Sequence, residues 1–239
     1  MNYSNRRLFI VSFFLLSLFL AFFWVMQNST FINTVQKDVL LYMNSSWQGF
    51  NSQRAYAVYY NLFFLLFMNI GLRKEEPSFV VLHKSRTDFY IRRSLSILIS
   101  AFWFTFSISI INTLLTFIFI EHSLLMKESF YLITFLNGLT VFFFFSGIGL
   151  LEKVIEDKIR SYVLGVIITF ILISSTYFLG DYLPWLPIKD IRLYEGFLTG
   201  TWTFYDALLV YLKQIGLVGA ISILGHIIFK EKDFIFYEK

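Results

Sequence analysis

Long runs of apolar residues follow one another along almost the whole chain. A membrane-crossing helix needs about 20 predominantly apolar residues to span roughly 30 Å of hydrocarbon. Six stretches qualify, over residues 8–26, 55–72, 94–120, 130–151, 162–180 and 206–229. Because 57% of the residues are hydrophobic and only 15% are charged, a water-soluble core could not hide them. The sequence predicts an all-α integral membrane protein with one transmembrane domain over residues 1–239.

The first stretch has a competing interpretation as a cleaved signal peptide, because Arg6 and Arg7 precede it. It is longer than the roughly 7 to 15 apolar residues of a signal peptide, and the following QNSTF lacks a small-x-small cleavage site. We therefore expect it to remain as a transmembrane helix.

The distribution of Lys and Arg predicts the orientation of the six helices. Six crossings place both termini on one side of the membrane, and cytoplasmic segments are enriched in Lys and Arg. Of the 20 basic residues, 14 fall on the side of the termini, 5 fall on the other side, and Lys213 lies within the sixth stretch. Both termini are thus expected to be cytosolic. Because the positive charge is spread over short segments that flank helices, we expect contact with membrane lipid and not with nucleic acid.

Two predicted outer segments are long enough to have structure of their own. In residues 27–53, Val35, Val39, Leu40 and Met43 have helical spacing, which favours a short amphipathic helix on the membrane surface. Between the fifth and sixth helices, residues 180–205 contain two prolines and many aromatic residues, which indicates a re-entrant or surface hairpin. We expect its rings to lie at the headgroup level as an aromatic belt; Trp185, Tyr194 and Trp202 are also candidates for an outer gate.

The predicted inner segments carry most of the charge. Arg92 and Arg93, at the end of the loop after the second helix, either extend to the lipid headgroups or belong to a protein-docking surface. Residues 152–160, EKVIEDKIR, can continue the fourth helix toward the fifth. We expect this piece to be a solvated extension, with a protein contact as the alternative.

Most catalytic chemistry is excluded by the sequence. There is no cysteine, and His83, His122 and His226 lie at different depths without helical pairing. No HExxH, G-x-S-x-G or phosphate-binding G-x-x-x-x-G-K-[ST] motif occurs. We therefore expect no enzymatic activity, no metal site and no cofactor in this chain.

The sixth stretch contains two further candidates. Lys213 lies within it, where it either reaches the outer headgroups or contacts a cargo carboxylate or a partner helix. Gly216, Gly219 and Ala220 form a face of small residues suited to close helix packing.

In layout, the chain resembles the six-helix permease subunits of ABC-2-type exporters. The matching segments are HKSRTDFYIRR, His83 to Arg93, and the segment Gly180 to Tyr205. The first resembles the family's coupling helix and the second its outer hairpin. In its length, its many Phe residues and its lack of a soluble domain, the chain is similar to the small permeases of Gram-positive bacteria. Those permeases export antimicrobial or cytolytic peptides or give immunity to them. The resemblance implies contact with a separate ATPase through His83, Lys84, Ser85, Arg86, Thr87, Asp88, Phe89 and Tyr90, with secondary contacts at Glu152, Glu156 and Arg160.

The resemblance further implies a location in the bacterial cytoplasmic membrane and a partner ATPase that binds ATP and Mg²⁺. The chain would pair with a second copy or with a paralogue, and the aromatic composition favours a hydrophobic or amphipathic peptide cargo. A non-transporting scaffold or immunity protein that binds a toxin or another partner is the alternative.

Overall fold

The computed structural model describes residues 3–32, 38–72, 85–180, 182–183 and 186–231, and these ranges contain helices and connections but no strand. The second predicted stretch begins with a π-helical segment, Ala55–Tyr60, that continues directly into the α-helix Asn61–Gly71, and a 3₁₀ helix over Pro187–Ile191 precedes the α-helix Leu193–Leu198. The α-helices are α1 (Tyr3–Asn28), α2 (Val39–Ser45), α3 (Asn61–Gly71), α4 (Arg86–Phe119), α5 (His122–Lys127), α6 (Phe130–Ile159), α7 (Tyr162–Leu179), α8 (Leu193–Leu198) and α9 (Phe204–Glu231).

Among the described residues, five helical segments are long and apolar enough to cross a membrane: Arg7–Asn28, Arg86–Phe119, Phe130–Ile159, Tyr162–Leu179 and Phe204–Glu231. The prediction of an all-α fold is confirmed for the described residues, and the long apolar helices support a multi-pass membrane protein. The second predicted span corresponds to a shorter apolar helix, Ala55–Ile70, so the sixth crossing stays a prediction.

Contacts near the helix ends define two ends of the bundle. One end, which we call the charged end, contains Arg86 and the pair Arg93–Asp157. There the ring centroids of Phe9 in α1 and Phe67 in α3 are 5.1 Å apart, and α4 begins beside the last turn of α9. At the opposite end, which we call the network end, Trp24 of α1 meets Asn112 of α4. Successive long helices therefore alternate in direction, and α6 is central because it contacts α3, α4, α7, α8 and α9.

The middle of the bundle is filled by aromatic side chains. The rings of Phe64, Phe104 and Phe145 are fully buried, with centroids 4.8 to 5.3 Å apart. A glycine allows α6 to come close to its neighbours here. A Cβ atom built on Gly149 would lie 2.5 Å from Ile97 Cγ2 and 2.7 Å from Met68 Sδ.

The helices at the charged end extend beyond the predicted spans. α4 begins at Arg86, eight residues before the predicted start, because Ser85 is in an extended conformation and its hydroxyl accepts a hydrogen bond from Asp88 N. α6 continues to Ile159, as expected for residues 152–160, but it does not join α7. Arg160 has a φ of 61° and ends α6, and Ser161 then caps α7.

Candidate functional site

A buried ion pair joins α4 to α6 at the charged end. Arg93 is 6% exposed and Asp157 is 4% exposed. Arg93 Nη1 donates to Asp157 Oδ1 at 3.2 Å, and Nη2 makes a second, closer contact with Oδ2. The Arg93 guanidinium also lies 4.8 Å from the ring centroid of Phe229 in α9. Arg93 therefore links three helices, so of the two alternatives left open for it, contact with lipid headgroups is wrong, and its burial also keeps it from an exposed docking surface.

A second group of charges lies one turn earlier in α6. Lys153 Nζ contacts Glu156 Oε2 at 2.6 Å and Glu152 Oε2 at 3.3 Å, and it donates to Asn69 Oδ1 of α3 at 2.8 Å. Glu152 is completely buried, and neither of its oxygens accepts a hydrogen bond from a described residue. The extension of α6 is therefore packed against α3 and α4, and the expectation of a solvated extension is wrong for Glu152, Lys153 and Asp157.

The sequence could not identify these buried charges. Charges at the predicted end of a span are ordinarily solvated, and α6 extends eight residues beyond the predicted boundary. The spacing of Arg93 and Asp157, 64 residues apart, gives no local signal.

The first turns of α4 pack on the last turns of α9. Arg86 Nη1 donates to the backbone oxygen of Lys230 at 2.6 Å, where the carbonyls of a helix C-terminus are open to a cation. Phe89 stacks on Phe229 with ring centroids 5.7 Å apart. Tyr90 donates to the backbone oxygen of Ser222 at 2.7 Å. This close approach depends on Gly225, since a Cβ there would lie 2.7 Å from the Tyr90 hydroxyl oxygen.

The residues predicted to contact an ATPase differ in accessibility. Ser85, Arg86 and Asp88 are exposed, Thr87 and Phe89 are half-buried, and Tyr90 is buried against α9. His83 and Lys84 lie outside the described residues. Of the secondary set, Arg160 is exposed, Glu156 is half-buried and Glu152 is buried. The structure thus gathers the exposed members around the beginning of α4 and the end of α6.

A network of buried amides and hydroxyls occupies the network end. Asn112 of α4 is its centre: it accepts from Trp24 Nε1 at 3.0 Å and donates to Asn44 Oδ1 at 3.0 Å and to the Tyr194 hydroxyl at 3.1 Å. Asn51 extends the network by donating to Asn44 Oδ1 at 2.7 Å. Further hydrogen bonds bring in Tyr56, Asn137 and Thr134. Side chains from α1, the α2 region, the π-helical segment, α4, α6 and α8 are therefore held together.

This network changes the prediction for one of the outer-segment aromatic residues. Tyr194 is 1% exposed and donates to Thr134 Oγ1 at 2.8 Å, so it is part of the core and not of an aromatic belt. Burial raises the pKa of its hydroxyl, which therefore stays protonated. Trp202 is half-buried and covers Gly196, and Trp185 lies outside the described residues.

The amphipathic surface helix of the first outer segment is also packed inside. α2 forms as predicted, but Val39, Leu40 and Met43 are buried in the core of the protein. Val35 lies outside the described residues. The apolar face of α2 is thus covered by protein.

Lys213 is held by the segment before α8. Its ammonium lies 2.9 Å from Asp190 Oδ1, and the neighbouring Gln214 donates to Asp190 Oδ2 at 3.0 Å. Burial raises the pKa of Asp190, although Lys213 and Gln214 act in the opposite direction. Lys213 therefore fastens the 3₁₀ helix to α9, in addition to any role in contacting cargo.

Among the described residues, the small-residue face of α9 has no close neighbour. A Cβ atom on Gly216 or Gly219 would meet nothing within 4 Å, and Ala220 is exposed. The predicted close helix packing therefore does not occur within the described part of the chain.

Asn112 should be the most sensitive member of the network. Replacing it with alanine leaves Trp24 Nε1 without its acceptor and removes one of the two hydrogen bonds made by the Asn44 side-chain oxygen and by the Tyr194 hydroxyl. Unsatisfied buried polar groups cost about 1–3 kcal/mol each, so we expect Asn112→Ala to lower the unfolding midpoint clearly in detergent. Ser96→Ala is the control, because the exposed hydroxyl of Ser96 donates to the backbone oxygen of Arg92 in the same helix and bonds no other described residue. Equal midpoints for the two variants would show that the network adds little stability.

Within the described ranges, no group of three or more His, Cys, Asp or Glu side chains could hold a metal ion. Comparison of the chain with protein-family models, curated proteins and solved structures found no significant match.

Proposed function

We propose that this chain is the permease subunit of an ATP-driven exporter of the ABC-2 type. In this proposal, the six helices all cross the bacterial cytoplasmic membrane, both termini are cytosolic, and the charged end faces a separate ATPase subunit. The observation that supports it best is the position of the first turns of α4. They have exposed charges on one side and fixed contacts with both α6 and α9 on the other.

These contacts make the start of α4 suited to transmitting a displacement. A force on Arg86 or Asp88 would move a continuous helix of 34 residues, about 51 Å long at 1.5 Å per residue. The Arg93–Asp157 pair would carry that movement to α6, and Tyr90 would carry it to α9. ATP binding to the partner shifts the conformational equilibrium only if these contacts differ between the two states.

The aromatic core favours a transport path between two subunits over one through a single bundle. Phe64, Phe104 and Phe145 fill the middle of the bundle. The apolar face of α9 that contains Gly216 and Gly219 is open to a second permease copy or a paralogue. A path lined by apolar helix faces suits a hydrophobic or amphipathic peptide.

Simultaneous replacement of Arg86 and Asp88 with alanine tests this proposal. We expect the tagged parent chain, purified from native membranes, to copurify with a nucleotide-hydrolysing ATPase, and the double variant to lose most of it. Lys127→Ala/Glu128→Ala is the matched control. It also removes one positive and one negative charge, but from adjacent residues at the network end, away from Arg86 and Asp88. The unfolding midpoint of each variant shows whether it is still folded. Equal ATPase recovery with the double variant and the parent would contradict the assignment.

A non-transporting scaffold or immunity protein is the second candidate, favoured by the same filled core. It would bind a toxin or a membrane partner and would need no ATPase. If every copurifying protein lacks nucleotide hydrolysis, this candidate replaces the first.

A further inference from the structure

A polar cleft opens at the network end, beside the buried amides. It has a volume of about 310 Å³ and lies between the segment after α2, the end of α7 and the start of α8. Ser46, Asn51 and Arg54 line one side, and Tyr177, Arg192 and Glu195 line the other. The proposed coupling to an ATPase does not involve this cleft.

Two guanidinium groups reach the cleft, and the described residues provide no anionic partner for one of them. Arg54 lies 4.8 Å from the ring centroid of Trp47 and 5.5 Å from that of Tyr59. It makes no ion pair within the part of the chain that the structure describes. Arg192 donates to Gln53 Oε1 at 3.3 Å, and its Nε lies 3.9 Å from Glu195, a distance that gives only a weak ion pair when both groups are substantially exposed. The cleft therefore has an excess of positive charge.

Neutral groups in the cleft add to this preference for an anion. The Ser46 hydroxyl oxygen is buried and has no hydrogen-bond partner among the described residues. Ser52 also lines the cleft and caps the following helix by accepting from Ala55 N at 3.1 Å. The amino end of that helix, with its partial positive charge, thus begins at the cleft wall.

We propose that this cleft binds the phosphate group of a lipid headgroup. A guanidinium can donate two parallel hydrogen bonds to a phosphate, and the cation–π contacts of Arg54 with Trp47 and Tyr59 hold this one near the cleft. Glu195 is placed to accept from a hydroxyl or ammonium group on the same headgroup. The volume lies at the lower end of the range for small-ligand sites, which suits a headgroup.

Lipid is the favoured source of this phosphate because exposed aromatic residues lie at the network end, and Trp47 among them lines the cleft. Trp47 is 65% exposed and Tyr182 is 80% exposed, and such rings are enriched at the headgroup level of membrane proteins. The five long apolar helices bring acyl chains next to the same end of the bundle. This proposal does not depend on whether the chain exports a cargo.

Lipid-dependent thermal stabilisation of the intact, delipidated protein in a maltoside detergent tests the proposal. We expect short-chain phosphatidylglycerol to raise the unfolding midpoint saturably, while a phosphate-free glycolipid of equal chain length does not. Arg54→Gln and Arg192→Gln should each weaken the apparent affinity about tenfold or more, as expected for loss of a charge-assisted hydrogen bond. Arg54→Lys should weaken it less, since the charge remains.

Lys127→Gln is the control, because it makes the same charge change on an exposed residue at the network end, outside the cleft. It should bind phosphatidylglycerol like the parent. Circular dichroism and the lipid-free midpoint establish that each variant folds; if Arg54→Gln does not, Arg192→Gln alone decides. Protection by inorganic phosphate at the same concentrations would support a phosphate site in the cleft. It would overturn the assignment of that phosphate to a lipid headgroup. Equal stabilisation by the glycolipid, or unchanged affinity in both arginine variants, would overturn the proposal.

Discussion

Replacing Arg93 with alanine is expected to lower the free energy of unfolding by about 3–5 kcal/mol, because it removes the guanidinium that pairs with the buried Asp157 carboxylate. Asp157→Ala should have a similar effect, since it removes the carboxylate that pairs with the buried guanidinium. Both changes are measured as shifts in chemical or thermal unfolding of the intact protein in detergent. Arg92→Ala is the matched control, because Arg92 is the adjacent arginine on the same helix and is exposed.

The double variant Arg93→Met/Asp157→Leu separates burial of an unpaired charge from loss of packing. Replacing both members of a buried pair by apolar residues of similar size is often neutral or stabilising. We therefore expect the double variant to recover most of the stability that Arg93→Ala loses. If Arg93→Ala and Arg92→Ala are equally stable, the ion pair does not hold α4 to α6.

The same double variant also separates stability from coupling. A folded, stable protein that no longer transports would show that the charges themselves are needed for movement between α4 and α6. Under the exporter proposal, we expect this result. During a movement Arg93 could exchange Asp157 for another carboxylate at this end, such as Glu152, whereas an apolar side chain in its place could not.

The second large effect is expected for Gly149→Leu. A single Cβ already comes within 2.5 Å of Ile97 Cγ2, so the remaining atoms of a leucine have no space between α6, α4 and α3. Overpacking of this kind costs about 1–3 kcal/mol and sometimes more, and we expect the upper end of that range. Folded yield after detergent extraction and the unfolding midpoint provide the measurement.

Gly216→Leu is the control for that change. It introduces the same side chain in the middle of a long helix, but nothing lies within 4 Å of the Cβ position. The monomer should remain stable in detergent. Should Gly149→Leu unfold at the same temperature as Gly216→Leu, the close crossing at Gly149 is not required. Loss of a dimer in Gly216→Leu alone would support packing of a second chain on α9.

Much of the fold could be predicted from apolar stretches alone. The long helices α1, α4, α6, α7 and α9 appear where such runs occur, since a bilayer requires each crossing segment to satisfy its own backbone hydrogen bonds. The helix ends were less predictable. α4 begins earlier because Ser85 can cap it, and α6 ends later because Arg160 adopts a left-handed conformation; both depend on local conformation and not on hydropathy.

The candidate sites could be predicted much less well than the fold from the sequence pattern. Asn112 and Asn137 stand out as polar residues within apolar stretches, and such residues ordinarily face other helices, so the network end had a detectable signal. Arg93 and Asp157 had none, because each resembles an ordinary charged residue at a helix end. Tyr194 resembles an interfacial ring until α4 and α6 place Asn112 and Thr134 against its hydroxyl.

The sequence by itself determined that the chain is helical, suited to a membrane, and asymmetric in its positive charge, because these properties depend only on composition and order along the chain. Only the tertiary structure decided which polar groups are buried and which helices they join, because pairing such as Arg93–Asp157 requires residues far apart in sequence to meet. The same holds for the cleft beside Arg54, whose walls come from three separate segments of the chain.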